Sequence, residues 1–139
     1  MNEPTLRRTS IYEEHIRSKG RMVPFTGWEL PVQYTGIVDE HRAVREAAGL
    51  FDASHMGEIE MRGEYAAHVV DYLVTGNAAS LGQGQALYTC ACNERGTILD
   101  DLILYRAAQD RFLIVCNASN REKITAVFEM AAGNAISME

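Results

Sequence analysis

The sequence predicts an α+β fold with a mainly antiparallel sheet and helices, near a ferredoxin-like arrangement with an added strand. Three observations carry this. Residues 55–62 alternate with a period of two, residues 64–75 carry apolar side chains at helical spacing, and strand-like runs follow at 86–92, 97–106 and 111–117. The tight turn Glu94-Arg95-Gly96 joins the first two of those runs as a hairpin. Strand, helix, three strands and helix is an order that places helices against an antiparallel sheet.

Taken in order, Ser10 and Glu13 match a capping box, Thr9 is an equally good cap, and Gly20 ends the first helix. Residues 22–34 hold two prolines and much aromatic surface with little periodicity, and read as a packed, irregular stretch. Thr35 caps a second helix with Ile37, His41, Val44 and Ala48 on its buried side, and Gly49 stops it. On that stripe His41 reads as a packed core residue.

The pattern changes at Ser54, dividing the chain into 1–53 and an α+β unit at 54–139. Gly57, Ile59 and Met61 share one face of the first strand of that unit, and Met56, Glu58, Glu60 and Arg62 the other. Ala66, Val69, Val70, Leu73 and Val74 form the stripe of the next helix, which Gly76-Asn77 ends, and Gly82-Gln83-Gly84 is a turn. After the three strands, Ser119 and Glu122 make a second capping box. Ile124, Val127, Phe128 and Ala131 form that helix's stripe, Gly133 closes it, and a last strand begins at Ile136-Ser137-Met138.

Bulk properties exclude several classes. A formal net charge of −6 argues against nucleic acid as a partner. No long apolar run spans a membrane, and the N-terminus has no secretory signal, so the expected compartment is the cytoplasm. Cys90, Cys92 and Cys116 are odd in number and strand-borne, and read as reduced, metal-free thiols. The histidines show no metal-ligand spacing.

The run Gly96 to Tyr105 carries the chemistry. Two adjacent carboxylates sit in a strand that is apolar on both faces, which predicts cover on both sides. Ile98, Asp100, Leu102 and Leu104 share one face; Leu99, Asp101, Ile103 and Tyr105 share the other. A buried carboxylate needs a partner, so alternation suggests a structural aspartate and a ligand-facing one. Tyr88 and Tyr105 fit core packing or a pocket for a flat ring, Met56 a surface methionine or a ring contact, and Asn117 a cap or a ligand contact.

Four blocks together resemble the aminomethyltransferase family, the folate-dependent T-protein of glycine cleavage, in its N-terminal part. They are Arg8-Thr9-Ser10-Ile11-Tyr12-Glu13-Glu14-His15, the segment from Met22 to Tyr34, the segment from Ala47 to Met56, and Gly96 to Tyr105 followed by Asn117-Ala118-Ser119-Asn120-Arg121-Glu122-Lys123. The resemblance implies three domains around a funnel that binds tetrahydrofolate, in a protein well over twice this length. Residues 1–53 then belong to an incomplete first folate-binding domain. It further implies transfer of a methylene carbon from the aminomethyl-lipoyl arm of the H-protein to tetrahydrofolate, with release of ammonia. It implies Asp101 as the catalytic carboxylate and Met56, Tyr88, Tyr105 and Asn117 as folate-pocket residues. Ser10 and Thr97 depart from the family pattern, which has Pro and a second Gly there. Two other readings stay open: a non-catalytic folate-binding relative of the iron–sulfur assembly type, and the folate module of a demethylating oxidase. The short chain is expected to be inactive alone and to self-associate.

Overall fold

The computed structural model describes residues 5–136, and the chain forms two compact units, Met1–His55 and Met56–Glu139. The first unit holds α1 (Tyr12–Arg17), β1 (Arg21–Phe25), β2 (Trp28–Gln33) and α2 (Ile37–Glu46). Its centre is an antiparallel hairpin where an irregular stretch was expected. Thr26 and Gly27 both take positive φ, 47° and 84°, the two-residue turn whose twist matches a hairpin. Pro24 and Pro31 lack N–H groups but are tolerated because a two-stranded sheet consists only of edges.

Neither expected cap forms in this unit. α1 starts after Ile11 with no side-chain cap, and Thr9 contributes its backbone carbonyl to the Tyr12 N–H. Before α2, the Glu40 carboxylate folds back and accepts the N–H groups of Tyr34, Thr35 and Gly36 at 2.7, 2.7 and 2.9 Å. One anion near a helix start satisfies three donors at once, which a threonine hydroxyl cannot. α2 ends at Glu46, before Gly49, and buries none of its residues. His41 is therefore exposed, not packed in a core. Its stripe partners Ile37, Val44 and Ala48 line an open groove of about 690 Å³ with Phe25, Leu50 and Phe51.

The second unit holds β3 (Gly57–Arg62), α3 (Ala66–Leu73), β4 (Ala86–Cys92), β5 (Ile98–Ala108), β6 (Arg111–Cys116), a 3₁₀ turn (Ala118–Asn120) and α4 (Arg121–Ile136). Its sheet runs in the order β3-β6-β5-β4, antiparallel throughout. One face packs on α3 and α4. Leu102, Leu104, Phe112, Ile114 and Cys116 from strands meet Ala66, Val70, Ile124 and Phe128 from helices. Gly57 is required there by close approach: a Cβ would lie 2.6 Å from the Cys116 sulfur.

Three expectations change in this unit. Register slips at the β4–β5 hairpin, where Ala91 pairs Asp100 but Cys92 pairs Ile98. Leu99 is the extra residue of this bulge. It turns onto the core, while Ile98 is exposed, so strict alternation fails below Asp100. Ser119 lies inside the 3₁₀ turn, two residues before α4 begins at Arg121. Finally, α4 runs through Gly133 to Ile136; in an alanine-rich stretch a single glycine costs only about 1 kcal/mol. Ile136 is thus helical rather than the start of a strand, and Ser137 and Met138 lie outside the described residues. No helix among the described residues is long and apolar enough to cross a membrane.

Candidate functional site

The Asp-Asp pair of β5 divides as strand geometry requires. Asp100 points to the helix-covered face and is 4% exposed. Its Oδ2 accepts the Asn117 backbone N–H at 2.9 Å. Its Oδ1 accepts the Asn117 side-chain amide at 2.9 Å and that of Asn120 at 2.6 Å. Asp100 is therefore the anion that caps the 3₁₀ turn leading into α4, in the place assigned by sequence to Ser119. The negative charge suits the positive end of a helix.

Asp101 lies on the opposite, exposed face. Its Oδ2 accepts the Tyr88 hydroxyl at 2.7 Å and its Oδ1 accepts Asn117 Nδ2 at 3.0 Å. Both oxygens are thus held by donors. The Tyr88 hydroxyl, opposed by desolvation and aided to a lesser degree by the Asp101 backbone N–H and the Asn117 amide, keeps the Asp101 carboxyl below the usual carboxylate range. The same bond pushes the Tyr88 phenol upward, since it now serves an anion. At neutral pH the pair is a carboxylate and an intact phenol.

Register brings the row together. Cys90 stands opposite Asp101, and Tyr88 opposite Ile103. Gly57, Cys116 and Leu102 pair across β3, β6 and β5. One residue further along stand Met56, Asn117 and Asp101. Tyr105 follows Asp101 and Ile103 on the same side of β5 and is 41% exposed. This face therefore presents the Asp101 carboxylate, two exposed tyrosines, a half-buried methionine, the apolar side chains of Ile103, Leu113 and Val115 and, from β3, Glu58 and the Glu60 carboxylate paired with Arg62 and Arg111. Among the described residues of the unit no helix packs on it, so within the unit helices cover β5 on one side.

Of the residues singled out by sequence, Asp101, Tyr88 and Asn117 are joined by hydrogen bonds. Tyr105 shares their face without a bond to them, and Met56 stands at the end of the row. Asn120 was missed. The signal was its three-residue spacing from Asn117, which in a 3₁₀ turn puts two amides on one side. Lys123, a residue of the same motif, donates from its ammonium to the Leu99 carbonyl at 2.6 Å. It ties α4 to the bulge below Asp100.

The cysteines are free thiols: Cys116 is in the core, and Cys90 and Cys92 are half-buried in β4. Burial, with the nearby Asp100 charge, pushes the Cys116 thiol upward, away from reactivity.

Comparison with known proteins places this geometry. The GCVT N-terminal domain matches residues 11–139. The aminomethyltransferase of Symbiobacterium thermophilum is 51% identical over 123 residues, covering 88% of this chain and 32% of that protein. The aminomethyltransferase of Rubrobacter xylanophilus is 53% identical over 124 residues, covering 89% and 33%. Among solved structures, the glycine cleavage system aminomethyltransferase T from Bartonella henselae is 41% identical with a TM-score of 0.87, covering 91% of this chain and 36% of that one. The chain thus spans about a third of the length of these relatives. With a match running almost from end to end, it belongs to the aminomethyltransferase family, in the part formed by the GCVT N-terminal domain.

Proposed function

We propose that this chain supplies the carboxylate-bearing part of a tetrahydrofolate-dependent aminomethyltransferase of glycine cleavage. Its lipoylated H-protein partner would deliver the aminomethyl group, and ammonia would leave as the methylene carbon passes to tetrahydrofolate. The single observation that carries the reading is Asp101: an exposed carboxylate held on both oxygens, on a sheet face with exposed tyrosines.

The residues present fit a folate. A pterin offers a flat ring and N–H donors, and this face offers Tyr88, Tyr105 and Met56 for ring contact and an acceptor-only carboxylate for the donors. Tetrahydrofolate supplies the nucleophilic nitrogen when bound. Asp101 supplies a fixed negative charge that favours cationic character on the carbon in transit, and a preorganised charge needs no reorganisation when that character develops. Because its carboxyl is held below the usual range, Asp101 works as an anion and acceptor, not as an acid. Asn117 and Tyr88 orient it, and Asn117 keeps a carbonyl oxygen for a ligand.

The test is Asp101→Asn in the full-length enzyme that carries this sequence. Transfer from aminomethyl H-protein to tetrahydrofolate is expected to fall on the order of 100-fold, with the fold unchanged by circular dichroism. Turnover close to the parent would refute the assignment. Folate binding without any transfer in the parent protein would favour a non-catalytic folate binder instead.

A further inference from the structure

The hydrogen bonds behind Asp101 form a directed chain, and its direction follows from chemistry. Asn117 Nδ2 lies 2.9 Å from Asp100 Oδ1 and 3.0 Å from Asp101 Oδ1. Ionised carboxylates only accept hydrogen bonds, so the amide has one permitted orientation, with its NH₂ between the two aspartates. Each amide hydrogen has a carboxylate to serve. Asp100 cannot turn away, because it is buried and also accepts the Asn117 N–H and the Asn120 amide. The rotamer of Asn117 is therefore set from inside the protein, and the bond to Asp101 on the open face is its consequence.

We propose that Asp100 and Asn120 are positioning residues for Asp101: Asn120 holds the Asp100 carboxylate, Asp100 fixes the Asn117 amide, and Asn117 aims one N–H at Asp101. This rests on the reading of Asp101 as the working carboxylate, and it assigns the buried half of the Asp-Asp pair a part in that work beyond capping α4. Replacing Asp100 by asparagine puts an NH₂ where an acceptor stood. The Asn117 amide then gains by flipping, which sets its carbonyl oxygen against Asp101. Acceptor faces acceptor, and the carboxylate is disfavoured. The other titratable groups beside Asp101 are Tyr88 and Cys90 on β4, and neither is altered by these changes.

The experiment is an aspartate-selective carbon NMR titration of the full-length protein that carries this sequence, without folate, following the Asp101 carboxyl. Parent, Asp100→Asn, Asn120→Ala, Asn117→Ala and the Asp100→Asn/Asn117→Ala double variant are compared, each checked for dispersed amide resonances. The Asp101 midpoint is expected to shift upward in all three single variants. In the Asn117→Ala background, Asp100→Asn is expected to add no further shift, because the route runs through Asn117. An Asp101 midpoint unmoved by Asn120→Ala, or an equal effect of Asp100→Asn with and without Asn117, would overturn the proposal. If Asp100→Asn does not fold, Asn120→Ala, Asn117→Ala and their double variant close the same cycle. The readout contains no folate, so its failure and that of the folate assignment are separately visible.

Discussion

At the scale of single residues, Asp100 and Asp101 show how one strand gives neighbouring identical side chains opposite tasks. Asp100 is buried with three donors around it, so its loss leaves the Asn117 N–H and two amides short of a partner. Asp100→Ala is expected to destabilise the chain by roughly 2–4 kcal/mol, measured by guanidinium unfolding; a change under about 0.5 kcal/mol would contradict the capping role. Asp101 is exposed, and its carboxyl is held down chiefly by the Tyr88 hydroxyl. The sign follows: a depressed carboxyl keeps the anion, and any activity that needs it, to lower pH than an ordinary aspartate. Tyr88→Phe is therefore expected to move the acidic limb of the kcat/KM profile of the full-length enzyme upward, toward the ordinary carboxylate range. A limb that stays in place would show that Asp101 ionisation does not limit the reaction. The pair itself was legible in the sequence, because two carboxylates in an apolar strand demand two different partners. Which donors they find was not, since Asn117 and Asn120 come from the far side of β6.

At the scale of elements, two local capping signals give way to carboxylates: Glu40, inside α2 itself, takes the backbone donors where Thr35 was expected to cap, and Asp100 takes the Asn117 N–H at the turn before α4. The β1–β2 hairpin was hidden because Pro24 and Pro31 interrupt the alternation, although Thr26-Gly27 sits where a two-residue turn needs positive φ. The Leu99 bulge was invisible, because a one-residue slip leaves composition unchanged. Periodicity was sufficient for β3 and α3, whose inward positions are those the pattern marked, and the strand-like runs at 86–92 and 111–117 form β4 and β6. Gly133 supplies a test at this scale: a Cβ there meets nothing within 4 Å and the residue is helical. Gly133→Ala is expected to raise stability by about 0.5–1 kcal/mol, and a destabilised variant would show that α4 does not continue through it. A second test lies in the first unit. His15 Nε2 and the Ser54 N–H, each 2.9 Å from a different Asp52 oxygen, hold a side chain that is almost fully buried. Burial pushes the Asp52 carboxyl up, but the Ser54 and Thr9 hydroxyls, together with His15 and the Ser54 N–H, outweigh it and set it well below the usual range. A depressed carboxyl stabilises the fold above its unfolded value of about 3.9 and ceases to do so as pH falls through the folded value. Asp52→Asn should cost stability at neutral pH and flatten the loss seen on acidification below about pH 4.

At the scale of the whole molecule, the two units differ in how they bury their apolar surface. Met56–Glu139 closes a core of strand and helix side chains, in which Leu104, Phe112, Ile114, Ile124 and Phe128 are inaccessible to solvent. In Met1–His55, Leu30 is the one hydrophobic residue among those described that reaches the buried class, while Phe25, Ile37, Val38, Leu50 and Phe51 are each more than half exposed. Several of them line the groove beside α2. Leaving a large apolar side chain in water forfeits on the order of 1.5–3 kcal/mol each, a substantial sum against a typical stability of roughly 5–15 kcal/mol. Contiguous apolar surface of this kind drives association. The isolated 139-residue chain is therefore expected to self-associate, with a sedimentation coefficient that rises with concentration. Because Leu50 and Phe51 are among the most exposed of these side chains, the Leu50→Glu/Phe51→Glu variant should shift the population toward monomer without altering the β3-β6-β5-β4 sheet. A parent chain that sediments as a concentration-independent monomer would show that the groove is stable in water as it stands.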